Sequence, residues 1–321
     1  MKQQIFVDNV TVIDLSRWSF RKQAFRGDSF NLHCKVSGPV EPQEGVVVDF
    51  SKGKKEIKAA VDRHVELEGD LPVATILNRN GFDHKLVLPS APRFRTLSAK
   101  EAELFSASQF SIERTSETHC AVTTKRSPQL ALHMPLDALK SLPADILFDL
   151  EGGDTRRFQA IISEFLATTI EGLHFTASLD RKPHTGTIEH TFGGDYHLVK
   201  YSYTHGLRNS SSFGCQNIAH GHSSFVASVD QAEALAISSY LHGAHIYDGS
   251  TWDKELDGCA YETRSRGTFT YSGVRRAHTH LVDVGAEPSI ENIAAYVAAE
   301  LKIRSPFFLS EGLQKGCYWE P

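Results

Sequence analysis

The feature that most constrains this chain is a repeated order of elements. Two stretches each read as strands, then a helix, then a further strand, a faint internal repeat that is weighed before any single residue. In the first stretch, Ile5–Asp14 and Ser29–Gly38 alternate as strands do, and Gly45–Phe50 (GVVVDF) is a β-branched run suited to a buried strand. A helix is predicted to follow, capped by Ser51, with Ile57, Ala60, Val61 and Val65 on one apolar face. Phe82–Pro89 and Phe110–Thr124 read as extended. In the second stretch, which begins near Leu173, strands are predicted at Thr187–His190, His197–Thr204, Ser223–Asp230 and Gly267–Ser272. Pro288 and Ser289 open a helix to about Lys302, lined by Ile290, Ile293, Ala294, Val297 and Leu301, and Phe307–Ser310 closes as a strand. The expectation is α+β: one unit over 1–125, a connector over 126–172 and a second unit over 173–321. The connector carries Pro128, Pro135, Pro143, a turn at Glu151–Asp154 and a helix from about Arg156 to Ile170.

Composition removes several function classes. The 321 residues suffice for two ordinary cores, and a net charge of -5 gives no nucleic-acid footprint. No apolar run approaches the roughly 20 residues that cross a bilayer, and the N-terminus lacks a signal-peptide pattern. The five cysteines, Cys34, Cys120, Cys215, Cys259 and Cys317, are odd in number and widely spaced, which argues against a disulfide framework. The expectation is a cytoplasmic protein with no nucleic-acid or membrane partner.

Sixteen histidines are many for this length, and three of them carry a motif. Residues 213–225 read FGCQNIAHGHSSF. If His220 and His222 begin a strand, they project from one face, and Gly221 leaves the other open. A third imidazole can come from the preceding extended run, whose end is His205; His190 and His197 are rivals for that place. Three histidines and an open fourth position suit a catalytic zinc rather than a structural one. The plain alternative is a pair of surface histidines. Cys215 lies five residues before His220, where a cation and imidazoles would favour its thiolate as a base or nucleophile. Its alternative is a small buried hydrophobe.

These residues resemble the 6-pyruvoyltetrahydropterin synthase and 6-carboxytetrahydropterin synthase family. YSYTHGLRN and CQNIAHGHSSF are similar to the family's F-x-A-A-H-R-L, its cysteine and its H-G-H-[NS]-[YF]. PSIENIAAYVAAEL at 288–301 resembles its P-T-x-E-N helix, and FLSEGLQKGCYW at 308–319 resembles its closing strand. The resemblance implies zinc on His205, His220 and His222, Cys215 as catalytic cysteine and Glu311 as the anchor of a pterin ring. The first half matches in a complementary way. GVVVDFSKGKKEIKAAVD resembles G-M-V-x-D-F and its helix, and Phe82–Leu86 (FDHKL) resembles L-D-H-K-x-L, which implies assisting roles for Asp83 and His84. RGDSF at 26–30 stands where H-G-H-S-F would be, with Arg26 and Asp28 in place of histidines. In the second half RRAHTHL at 275–281 stands for L-D-H-K-x-L, with Ala277 for the aspartate, His278 for the family histidine and His280 as its rival.

The fold so implied is two tandem tunnelling-fold units, each a four-stranded antiparallel sheet with helices, assembling as a homo-oligomer into a β-barrel. The activity implied is that of a zinc-dependent lyase of tetrahydropterin biosynthesis, acting on 7,8-dihydroneopterin triphosphate or a related heterocycle. A non-catalytic, zinc-stabilised oligomeric binding module and a zinc hydrolase are the alternatives. A structural zinc needs neither Cys215 nor Glu311, and a hydrolase needs a carboxylate beside the metal.

Overall fold

A computed structural model describes residues 3–19, 24–43, 45–65, 110–124, 130–135, 159–160, 162–163, 166–167, 170–211, 215–275 and 280–321. Asp83, His84 and His278, with the extended reading of Phe82–Pro89, lie outside the described residues. The chain forms two compact units that interleave along the sequence. Met1–Ile13, Phe30–Ala121 and Leu136–Asp180 belong to one; Asp14–Ser29, Val122–Pro135 and Arg181–Pro321 belong to the other.

In the first unit, β1 (Gln3–Val7) and β7 (His174–Asp180) both run antiparallel to β3 (Ala24–Gly38). The strand expected over Ile5–Asp14 is broken: Asn9 takes a left-handed φ of 48°, which its short polar side chain tolerates, and β2 (Val12–Ser19) resumes beyond it. Leu32 exchanges backbone bonds with Val10 and Thr11 across the gap. The expected strand at Gly45–Phe50 is not one. Gly45 N donates to the Glu41 carbonyl and Glu41 N to the Val46 carbonyl, closing a turn, and Asp49 caps helix α1 (Phe50–Val65) by accepting from Lys52 N at 2.8 Å, the role expected of Ser51. Ile57, Ala60 and Val61 are buried from α1 as the spacing predicted. The extended reading of Phe110–Thr124 becomes β4 (Phe110–Arg114) and β5 (His119–Thr124), joined by a short turn. Residues 159–160, 162–163 and 166–167 are helical, within the helix expected in the connector.

The second unit is built on a six-stranded sheet. Its order is β14 (His280–Asp283), β10 (Ala244–Tyr247), β8 (His197–His205), β9 (His220–Ser228), β15 (Phe307–Glu311) and β16 (Lys315–Trp319). This corrects the expectation of four antiparallel strands: β10 runs parallel to both β8 and β14, while β8, β9, β15 and β16 are antiparallel. The cause is the connection after β9. Helix α3 (Gln231–Leu241) returns along the sheet, so the chain re-enters at the outer edge of β8 in the same direction as β8. A second strand expectation also fails. Thr187–His190 lies in a short helix α2 (Gly186–Phe192), where Thr185 Oγ1 bonds Glu189 Oε1 and Gly193, at φ 67°, ends the turn. Helix α4 (Ile290–Leu301) begins where Ser289 predicted, with Ser289 Oγ accepting from Asn292 N.

Helices α3 and α4 cover one face of the sheet. Ala234, Ile237 and Leu241 from α3, with Ile290, Ile293, Ala294 and Val297 from α4, pack on Tyr201, Tyr203, Val226 and Leu309. Burying side chains of this size contributes about 1.5–3 kcal/mol each. The opposite face carries a smaller cluster of Ile188, Phe225 and Ala227 flanked by Phe192, Tyr196, Leu198 and Phe308. The region 231–270, which no motif explained, supplies α3, β10 and a second sheet in which β11 (Trp252–Asp253), β12 (Gly258–Thr263), β13 (Gly267–Ser272) and β6 (Ala131–Pro135) are neighbours.

Candidate metal centre

The β8–β9 register aligns the histidines. His205 lies opposite His220, and His222 lies opposite Tyr203, so all four side chains share the face that α3 and α4 cover. His205 and His222 are fully buried and His220 nearly so. His222 Nε2 and His205 Nε2 face each other at 3.1 Å. His205 Nδ1 lies 2.8 Å from the Pro288 carbonyl, which only accepts, so Nδ1 carries the proton and Nε2 presents a lone pair. Two nitrogens on a tetrahedral zinc with bonds near 2.0–2.1 Å stand about 3.3 Å apart, close to the spacing found. The donor set therefore fits zinc.

Glu311, at the end of β15, completes the tightest group. Its carboxylate, His205 and His222 offer ligand atoms that all lie within 4.8 Å of one another, and Glu311 Oε1 is 3.6 Å from His222 Nε2. His220 stands outside that closest set, although its ring packs edge-on to His222 at 4.6 Å between centroids. Lys315 Nζ lies 3.3 Å from Glu311 Oε1.

Asp14 is a residue that sequence reasoning missed. It comes from β2, in the Asp14–Ser29 segment that belongs to the second unit. Its Oδ1 accepts from Ser29 Oγ at 2.6 Å and lies 3.2 Å from His222 Nδ1, though too poorly aligned to count as a hydrogen bond. Ser29 Oγ in turn accepts from Ser223 N at 3.0 Å, tying the segment to β9. Two glycines permit this closeness. A Cβ on Gly27 would fall on the backbone N and O of His222 and on the Tyr203 carbonyl, and one on Gly312, at φ 70°, would lie 2.6 Å from Asp14 Oδ1. Asp28, the residue in place of a histidine in RGDSF, pairs bidentately with Arg181 at 2.9 and 2.9 Å. Nothing in the motif patterns points to Asp14; its signal is only that an acidic residue interrupts the apolar alternation of Val10–Leu15.

Burial dominates the electrostatics. It lowers His205 to about 4, lowers His220, and takes His222 well below the ordinary imidazole value, with neighbouring histidines adding to it at His222. All three are neutral near pH 7, the form that binds metal. Desolvation pushes Asp14 up despite His220 and Ser29. For Glu311 desolvation is again the largest single influence, and it raises the carboxyl, but His222, His205, Lys315 and His220 together hold it below its ordinary value. Because those histidines are uncharged near neutrality, Lys315 is the partner charge that persists there.

Cys215 is half-buried in the turn before β9, and its carbonyl accepts from Leu207 N at 2.7 Å. Its thiol stands near enough to Tyr203 and Lys315 to influence both electrostatically. The β12–β13 hairpin holds this turn. Tyr261 OH donates to the Gln216 carbonyl at 2.9 Å, Gln216 Nε2 bonds Ser210 O and Ser265 Oγ, and Arg266 Nη1 bonds Asn217 Oδ1. His190 and His197, rivals for the third histidine, lie exposed on α2 and at the start of β8. His280 Nε2 bonds the Tyr240 carbonyl at the outer edge of the sheet.

No family model matches the chain, and no curated protein does. Two solved structures of 6-pyruvoyl tetrahydropterin synthase from Plasmodium vivax, one of them a catalytic-residue mutant, match with 13% identity and a TM-score of 0.31. The match covers 56% of this chain and 91% of each of theirs. That is a distant likeness.

Proposed function

We propose that this chain is a zinc-dependent lyase of the pterin-synthase kind, acting on 7,8-dihydroneopterin triphosphate or a related heterocycle. The observation that carries the reading is the facing Nε2 pair of His205 and His222, buried and neutral, with the His205 lone pair aimed by the Pro288 carbonyl. His205, His220 and His222 would hold the ion, with Glu311 at its edge. Zinc bound there supplies Lewis acidity toward a substrate hydroxyl. The remaining work falls to the chain's own groups. Glu311 accepts the two N–H bonds of a 2-amino pyrimidinone edge, a charge-assisted pairing that fixes the ring. Cys215, within electrostatic reach of Lys315, carries a proton to and from the side chain of the substrate. The motifs assign the second proton carrier to His278, or to Asp83 with His84. The outcome is triphosphate elimination to a 6-pyruvoyl product or side-chain cleavage to a 6-carboxy product. A homo-oligomer fits the edge strands β14 and β16, which have no further partner among the described residues. No described helix is long and apolar enough to cross a membrane, and the reading retains a cytoplasmic enzyme with no nucleic-acid partner.

One observation favours a second reading. A carboxylate beside two neutral histidines, Glu311 at 3.6 Å from His222 Nε2, is also what a zinc hydrolase needs. Metal analysis of purified protein and mass-spectrometric assay with 7,8-dihydroneopterin triphosphate separate the two. The lyase reading expects about one zinc per chain, lost in His222→Ala, kept in Glu311→Gln and Cys215→Ala, with turnover lost in Cys215→Ala. Zinc lost in Glu311→Gln, together with no pterin turnover in the unaltered protein, would favour the hydrolase. A protein that binds no zinc is neither.

A further inference from the structure

Tyr201 and Tyr203 stand two apart on β8, stacked at 5.7 Å between ring centroids, and both are almost completely buried. Their hydroxyls are treated differently. Tyr201 OH donates to the Ser310 carbonyl at 3.1 Å. Tyr203 OH is buried and has no partner among the described residues. An unsatisfied buried hydroxyl costs about 1–3 kcal/mol, and phenylalanine has the same shape without that cost. The ring lies within the histidine cluster, 5.1 Å from His205 and 5.4 Å from His222 between centroids. Glu311, Asp14 and Cys215 all stand near enough to act electrostatically on the phenol, at the end of the apolar core that borders the histidines. Two other donors there are engaged: Ser29 Oγ gives its proton to Asp14, and Lys315 pairs with Glu311. In the F-x-A-A-H-R-L pattern that this strand resembles, Tyr203 occupies an alanine position.

We propose that the Tyr203 hydroxyl is a ligand-binding donor, which hydrogen-bonds an oxygen of the molecule bound at the His205–His222–Glu311 centre. This rests on the metal reading above and sharpens its substrate class. The ligand presents an acceptor oxygen, a carbonyl, alkoxide or hydroxamate, at the place where the alanine-bearing pattern offers neither donor nor bulk. The phenol therefore narrows the site and selects oxygen over carbon there.

The test uses the full chain loaded with Co2+, whose d–d spectrum reports both metal binding and the arrival of acetohydroxamate as a probe. In Tyr203→Phe, thermal stability of the metal-free protein should stay level or rise, Co2+ affinity should hold, and acetohydroxamate affinity should fall roughly five- to tenfold, the loss of one hydrogen bond. Tyr201→Phe, which loses the bond to Ser310, should show the reverse: lower stability and unchanged acetohydroxamate affinity. Equal acetohydroxamate affinity in Tyr203→Phe and unaltered protein overturns the proposal while leaving the metal reading intact. A Tyr203→Phe protein that unfolds or loses Co2+ overturns it as well, because the hydroxyl would then be structural. Absence of any cobalt spectrum in the unaltered protein overturns the metal reading and this inference with it.

Discussion

RGDSF at 26–30 and HGHSSF at 220–225 occupy matching places in the two halves of the sequence, yet they carry opposite burdens. In the later segment the imidazoles of His220 and His222 are buried neutral beside His205. In the earlier one Asp28 is taken up by Arg181, and the neighbouring residues serve the later segment. Gly27 lets the backbone pass against His222 and Tyr203, Ser29 receives Ser223 N, and Ser29 Oγ holds Asp14 beside His222. The earlier segment, which offers no imidazole, lies as a wall against the histidine cluster of the later one. A segment without imidazoles can still shape the histidine cluster, because close packing needs only a glycine and a hydroxyl.

The contrast breaks most completely at Gly27. Gly27→Ala puts a methyl group onto backbone atoms of His222 and Tyr203, which cannot move without parting the β8–β9 ladder. A loss of at least about 3 kcal/mol is expected, beyond ordinary overpacking, read by urea denaturation. Unchanged stability would separate the two segments.

Acid should strike the histidine side. Burial lowers His205 to about 4 and His245 to about 3, with the His205 charge adding to the effect at His245. Unfolded imidazoles take up protons below about pH 6.5, whereas these two stay neutral until pH 4 and 3. Stability of the metal-free protein is therefore complete above pH 6.5 and falls as pH drops from 6.5 toward 4, by on the order of 3 kcal/mol per histidine. Denaturation midpoints across that range check it, and a flat profile would mean the histidines are not buried neutral.

Asp14→Asn sharpens the comparison at the point where the earlier segment touches the centre. A carboxylate beside an imidazole Nδ1 steers the ring's proton, and changing such a partner usually weakens metal binding ten- to a hundredfold. Competition with a chelator measures this; an unaltered zinc affinity would remove Asp14 from the centre. The smallest effect belongs to Asp28→Ala, which removes the bidentate Asp28–Arg181 pair. It should cost about 1–2 kcal/mol of stability and keep the zinc stoichiometry, since Asp28 is a support and not a ligand.

Much of this architecture was legible in the residues alone. Helix α4, strands β8, β13 and β15, and the pairing of His205 across a hairpin from His220 and His222 all follow from short-range pattern: a serine cap, strict alternation, and histidines two apart on a strand. Local preference failed where the tertiary setting overrode it. GVVVDF has strand composition but is consumed in the turn that Asp49 converts to a helix cap, and GTIEHTF coils into about two helical turns that Gly193 ends in the left-handed conformation.

What the sequence by itself determined is the inventory: an α+β chain, a histidine triplet in a hairpin, a cysteine five residues ahead of it and a glutamate on the closing strand. Only the tertiary structure decided which of these atoms meet. Glu311 joins His205 and His222 because β15 pairs with β9, and the sequence separation between them carries no such information. Asp14 reaches His222 from the far end of the chain because Gly27 and Gly312 leave room. Tyr203 keeps an unspent hydroxyl because the Ser310 carbonyl on β15 accepts from Tyr201 and no described group accepts from Tyr203. Alternation and capping are written within a few residues, whereas packing, desolvation and the satisfaction of buried polar atoms depend on distances that exist only once the chain has closed on itself.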